Sequence, residues 1–240
     1  MNKIGIIGAM SIEVETLIQN LKAADGQDQI QITETSGMTF YEGKIGSQNV
    51  VIVQSGVGKV NAAICAQTLI LKYGATAVIN TGIAGALGKG LGILDFVIST
   101  DAVYHDVDAT AWGYEICQIP QMKTRSFPAD EKLVSLVKKV FKEIPECQGH
   151  KIQAGTIASG DKFVADNAVK NTIKENCNPL CVEMEGAAIA HACYLNKVPF
   201  IILRTLSDMA DDSSDTTYVF NEKNAASISS AIMLEILKRI

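Results

Sequence analysis

The sequence predicts an α/β fold, a mixed sheet flanked by helices, and three observations carry that expectation. Short apolar runs ending in glycine or charge alternate with segments of helical spacing. Several early runs are joined by tight turns, whereas later ones are separated by helix-length stretches, so antiparallel hairpins and parallel crossovers are both expected. No proline-rich linker, low-complexity stretch or internal repeat divides the 240 residues, and 1–240 reads as one domain.

The elements follow in order. Lys3-Ile4-Gly5-Ile6-Ile7-Gly8 is a buried strand. Residues 12–18 have helical spacing, with Ser11 as N-cap and acids in the first turn, where the helix dipole favours them. Residues 30–35, 38–45 and 49–54 read as a β-meander with turns at Gly37 and at Gly46-Ser47. Gly56-Val57-Gly58-Lys59 opens a helix over 60–73, and 77–81 is a buried strand running into Gly82-Ile83-Ala84-Gly85. A strand pair is expected over 94–104, an irregular stretch over 105–129 and an amphipathic helix over 130–143. A strand at 151–159, a helix at 166–175, a strand through Val182-Glu183-Met184-Glu185, a strand at 199–208 and a helix at 221–239 complete the chain. Long loops in compact domains are often functional, which singles out 105–129.

Bulk properties exclude several classes. A net charge of −5 with both signs interspersed argues against a nucleic-acid binder, which would present a basic face. Only Arg125, Arg204 and Arg239 are arginines, so a substrate carrying several phosphates is not expected. Residues 3–10 are too short for a secretory signal, and no run approaches a membrane span. The six cysteines are scattered through apolar segments and read as reduced thiols of a cytoplasmic protein. His105, His150 and His191 lack metal-ligand spacing, and His191 with Cys181 and Cys193 makes no paired-cysteine zinc signature.

What stands out is charge at the ends of apolar strands. Ligands of open α/β sheets bind outside the carboxyl ends of the strands. Glu13 follows the first strand; it reads as a first-turn helix acid or, beside other carboxylates, as a general base for water. Glu183 and Glu185 would share one face of a strand, where they repel unless a ligand, donor or solvent relieves them. A carboxylate there can accept two hydrogen bonds from a vicinal diol such as a ribose. Arg204 and Asp208 would share a strand face too, as a buried ion pair or cap, or with Asp208 as an acid kept protonated in a dry pocket. The loops Gly5-x-x-Gly8, Gly56-x-Gly58 and Gly82-x-x-Gly85 are either turn chemistry or places where backbone approaches a ligand; none forms a dinucleotide or Walker motif. Phe163 could stack on a flat base, and Trp112, Tyr114 and Tyr218 could wall an apolar pocket, although any one aromatic is more often core than ligand contact.

Taken together, Ile4 to Met10 with Glu13, Ser55 to Lys59, Asn80 to Gly85, Tyr104 to Asp108 with Gly113 to Glu115, Ser159 to Asp161, Val182 to Glu185, and Ser207-Asp208 resemble the bacterial 5′-methylthioadenosine/S-adenosylhomocysteine nucleosidases along essentially the whole chain. The resemblance implies a three-layer α/β/α sandwich with a central mixed sheet, a homodimer, and hydrolysis of the adenine–ribose bond with neither metal nor organic cofactor. It implies that Glu13 activates water and Asp208 protonates adenine N7. Glu185 would hold the ribose hydroxyls with Met184 against the sugar, Glu183 and Arg204 belonging to the same substrate site. Phe163 would stack on adenine, the Val164 backbone would bind its edge, Ser207 would orient Asp208, and Gly85 would lie against the ligand. Met10, Val57 and Tyr218 would line the 5′-alkylthio pocket, and Trp112, Tyr114 and Pro120 would be lent by the partner subunit. Ile83 and Lys162 depart from the familiar pattern, where a serine and a small residue stand. A purine nucleoside phosphorylase, a futalosine-type hydrolase and a non-enzymatic nucleoside binder are the rival expectations.

Overall fold

Strands predicted from apolar runs assemble into one mixed sheet, and the alternation of their side chains explains the layers on either side. In the computed structural model, residues 3–25, 30–211 and 214–240 are described, those at 24–25 and 214–220 by backbone alone. The strands are β1 (Lys3–Gly8), β2 (Gln31–Thr35), β3 (Met38–Ile45), β4 (Gln48–Gln54), β5 (Ala77–Ala86), β6 (Phe96–Tyr104), β7 (Ser126–Pro128), β8 (Ile152–Ser159), β9 (Cys181–Glu183) and β10 (Phe200–Asp208). The helices are α1 (Ser11–Asp25), α2 (Lys59–Leu71), α3 (Glu131–Phe141), α4 (Asn167–Cys177), α5 (Gly186–Asn196) and α6 (Ser214–Leu237).

Successive residues of a strand point to opposite faces. Ile4 and Ile6, Val50 and Ile52, Ala77 and Ile79, and Ile201 and Leu203 pack with α1, α3 and α6 on one side. Ile7, Val51, Val53, Val78, Phe200 and Ile202 pack with α2 and α5 on the other. Fully burying such a side chain contributes about 1.5–3 kcal/mol, which is why both faces are covered. The expected α/β/α layering follows from that alternation. Among the described residues no helix is long and apolar enough to cross a membrane.

The strand order is β10-β6-β8-β9-β5-β1-β4-β3-β2, and β10 also pairs with β5. Five strands therefore close into a ring, and β1, β4, β3 and β2 fan out from β5. Here the structure departs from the open sheet assumed from sequence. The strands β1, β4, β5 and β10 run parallel to one another, while β9 is antiparallel to β5 and parallel to β8. Residues at or just after the carboxyl ends of β1, β9 and β10, together with the second half of β5, nevertheless border one space.

Three segment expectations are corrected. The strand pair over 94–104 is the single strand β6, preceded by a turn at Leu94 (φ +66°) in which Asp95 accepts the Gly92 N–H at 2.9 Å. The irregular stretch contains β7, which pairs with β6. The strand through 182–185 stops at Glu183, so Glu183 and Glu185 do not share a strand face; Glu185 stands at the start of α5.

Candidate active site

The space bordered by those strand ends is a cavity of about 560 Å³, counting its mouth open to solvent. Its lining includes Met10, Glu13, Val57, Gly85, Phe163, Val164, Glu183, Met184, Glu185, Ser207 and Asp208. The four carboxylates singled out in the sequence, Glu13, Glu183, Glu185 and Asp208, thus border one space. Three neighbours that sequence reasoning gave no part also line it, Ala9, Ala84 and Val182, as do the two departures from pattern, Ile83 and Lys162.

Glu13 sits in the first turn of α1, yet its side chain turns back to the end of β1. Its Oε2 accepts the N–H groups of Ala9 at 2.6 Å and Met10 at 3.0 Å, and Oε1 accepts that of Ile83 on β5 at 3.0 Å. Burial pushes its carboxyl above the usual carboxylate range; the Arg204 charge and the three N–H donors oppose that without cancelling it. A carboxylate in this state is held rigidly and is more basic than a surface one.

Asp208 ends β10 and is buried. The β5–β10 register slips between Leu206 and Asp208, and a bulge of this kind re-aims a side chain. Oδ2 accepts from Ser207 Oγ at 2.8 Å, and Oδ1 accepts the Ala210 N–H at 2.7 Å. The expected pairing of Ser207 with Asp208 is present.

Arg204 corrects one expectation. It does not line the cavity; it lies buried beneath it, bonded through Nη2 to Glu183 and, at 2.6 Å, to Asn80 Oδ1. Asp208, on the far side of the bulge, is not its partner in that ion pair. Glu183 in turn accepts from Ser159 Oγ, from the Glu185 N–H at 3.1 Å and from the Gly186 N–H at 2.8 Å. It therefore caps α5 and anchors the cation, a structural role legible only from the contacts. Asn80 and Ser159 head two of the motifs that carry the resemblance but had no role of their own, although a lone amide ending the apolar run 77–80 is itself a signal.

Glu185 keeps one oxygen on the Gly58 N–H at 2.8 Å. Burial, then the Glu183 charge, pushes its carboxyl up to about 8, against the pull of Arg204 and Gly58. The native state therefore binds this proton more tightly than the unfolded chain, and stability contributed by Glu185 falls as pH rises from the ordinary carboxylate range to about 8. Glu185→Gln removes that loss. Its thermal midpoint is expected to gain steadily on the native protein's as pH rises from about 5 to about 8, and to match it in acid. A gap independent of pH would contradict this.

Trp112, Tyr114 and Pro120 do not line this chain's cavity, and Trp112 is 78% exposed. The side chain of Tyr218 lies outside the described residues. Among the described residues no group of three or more His, Cys, Asp or Glu side chains could hold a metal ion.

Comparison with known proteins shows the family. Residues 3–238 match the model of the Phosphorylase superfamily. A 5′-methylthioadenosine/S-adenosylhomocysteine nucleosidase of Staphylococcus carnosus is 45% identical, covering 99% of this chain and 100% of its own. The crystal structure of the nucleosidase of that name from Neisseria meningitidis, in complex with methylthio-immucillin-A, superposes with a TM-score of 0.92 at 36% identity over 100% of both chains. The Colwellia psychrerythraea enzyme of the same name, in complex with adenine, gives 0.91 at 40% identity over 98% of this chain and 94% of its own. With its carboxylates gathered at one cavity and full-length similarity on both counts, the chain belongs to the Phosphorylase superfamily and, within it, to the 5′-methylthioadenosine/S-adenosylhomocysteine nucleosidases.

Proposed function

We propose that this chain hydrolyses the N-glycosidic bond of 5′-methylthioadenosine and S-adenosylhomocysteine, and of 5′-deoxyadenosine by the same chemistry, releasing adenine and the free sugar. The observation that carries the reading is that Glu13, in the first turn of α1, and Asp208, at the end of β10, are both buried and line one cavity together with Phe163 and Glu185.

Adenine anion is a poor leaving group, so Asp208 donates its proton to N7 as the C–N bond lengthens toward an oxocarbenium-like state. Ser207 fixes the orientation of the acid. Glu13 takes a proton from the attacking water, and its raised pKa makes it a better base than an exposed glutamate. Each proton transfer is typically worth about 10²–10⁴-fold. The second oxygen of Glu185 accepts from the ribose hydroxyls, Met184 packs on the sugar, and Phe163 stacks on the base while the Val164 backbone meets its edge. Gly85 lies against the ligand, and Met10 and Val57 form the pocket for the 5′ substituent. Glu183 and Arg204 act through others: they hold α5 and the charge balance beneath Glu13 and Glu185.

The negative charge of Glu13 stands where a phosphorylase would need its anion, which favours water as nucleophile. Adenine release from the three nucleosides is therefore expected to proceed equally in phosphate-free and phosphate-containing buffer, with a reducing sugar as coproduct. Release that requires phosphate and yields a sugar 1-phosphate would overturn the reading. A futalosine-type nucleoside is the fourth arm of the same assay.

The functional unit is a homodimer in this reading. Between them α2 and α5 carry a single charged side chain, Lys59. Helices apolar all round are normally buried. Yet Val60 (69%), Leu71 (71%) and Leu195 (63%) are exposed, with Ile64 and Tyr194 beside them. A second copy seated on this face covers them and brings its own Trp112, Tyr114 and Pro120 toward the 5′ end of the pocket. Sedimentation at micromolar concentration is expected to give twice the chain mass, and a monomer there contradicts it. The cytoplasmic setting fits six cysteines that are all free thiols; cell fractionation checks it.

A further inference from the structure

The start of α2 is capped by side chains from elsewhere in the chain. Its N-cap residue, Gly58, has φ +98° and offers no side chain, so the first N–H groups of the helix need acceptors from outside. Two carboxylates supply them. Glu185, at the sugar end of the cavity, accepts the Gly58 N–H at 2.8 Å, and Asp161 Oδ1 accepts the Lys59 N–H at 2.8 Å. Both sit at the positive end of the helix dipole, where anions are favoured.

Asp161 is also gripped from its other side. Its own N–H donates to Asp106 Oδ2 at 3.0 Å, and Lys59 Nζ donates to the same oxygen at 2.5 Å. Lys59 Nζ lies 3.7 Å from Asp161 Oδ2 and 5.5 Å from the Tyr104 ring centroid. Three segments distant in sequence are thereby tied at one point: the start of α2, the end of β6 and the turn after β8. That turn carries Lys162, Phe163 and Val164, all on the cavity wall. Phe163 is 47% exposed, so packing alone does little to hold it. A partly exposed ion pair is worth little by itself. Two main-chain N–H donors in the same cluster give this one direction as well as charge.

We propose that Asp161, clamped by Lys59 and Asp106, is a positioning residue that sets the Phe163–Val164 segment over the base end of the cavity and, through the start of α2, in register with Glu185 at the sugar end. The inference rests on the nucleosidase reading and assigns substrate affinity, not proton transfer, to the clamp.

The test is a double-mutant cycle. Asp161→Ala is expected to raise KM for methylthioadenosine about tenfold while kcat moves about twofold or less, the pattern of lost uniform binding. Asp161→Asn keeps an acceptor for the Lys59 N–H but loses the charge, and falls between. Phe163→Ala raises KM too, and adding Asp161→Ala to it is expected to bring little further rise, because the clamp acts through that ring. Calorimetry with adenine alone repeats the comparison without turnover. A merely structural role lowers the thermal midpoint in both backgrounds and leaves the KM effects multiplicative; that result, or an unchanged KM in Asp161→Ala, overturns the proposal. Should Asp161→Ala fail to fold, Asp106→Asn releases the same segment from the opposite side and is read by the same criteria. Failure of the hydrolase reading is visible separately, as a native protein that releases no adenine.

Discussion

Asp208→Asn is expected to lower kcat by about 10²–10⁴-fold while methylthioadenosine still binds. The amide is nearly isosteric with the acid. Its oxygen can take over the 2.7 Å hydrogen bond from the Ala210 N–H, and its shape leaves Ser207 and Gly85 in place. What it cannot do is release a proton to N7, so the leaving group must depart as an anion. The loss belongs to the transition state and should fall on kcat and kcat/KM alike, with nucleoside affinity by calorimetry largely kept. Single-turnover adenine release separates this chemical step from product release. Undiminished turnover in the variant would remove Asp208 from the mechanism and leave the cavity without a general acid.

The carboxylates of this site were legible because charge at the end of an apolar strand is costly unless something uses it. Glu13, Glu185 and Asp208 each follow such a strand, and each reaches the cavity. Strand and helix positions were legible for the same reason that the layers form: period-2 and period-3.6 spacing reports which face is buried. What failed was whatever depends on partners distant in sequence. The ring closure through the β5–β10 pairing has no local signal. Spacing suggested Arg204 with Asp208, but the slip after Leu206 separates their faces, and Glu183, 21 residues away, takes the cation. Likewise the strand through 182–185 ends early because the Glu183 side chain accepts the N–H groups of residues 185 and 186, and that begins a helix. A buried pair of this kind gives little net stability, whereas removing one partner strands the other.

A single methyl group at position 82 is expected to cost more than any conservative change on the cavity wall. Gly82 lies inside β5 opposite Arg204 on β10, with ordinary strand backbone, so alanine meets no conformational penalty there. Space is the obstacle. A Cβ would stand 2.5 Å from Glu13 Oε1, 2.7 Å from Arg204 Nη1 and 3.0 Å from Glu13 Cδ. Neither neighbour can yield cheaply: Glu13 is held by the N–H groups of Ala9, Met10 and Ile83, and Arg204 by Asn80 and Glu183. Overpacking costs about 1–3 kcal/mol of stability, and displacing the base removes a further factor of about 10²–10⁴ from kcat. Adenine itself should still bind, because in the proposed mechanism Asp208, Phe163 and Val164 hold the base and Glu13 does not. Gly92→Ala is the control, because its nearest neighbour to a new Cβ is Asp95 Oδ2 at 4.0 Å. Wild-type turnover in Gly82→Ala would mean that the Glu13 carboxylate can leave its three donors without consequence, and a base that can be moved at no cost is not the group that aligns the water.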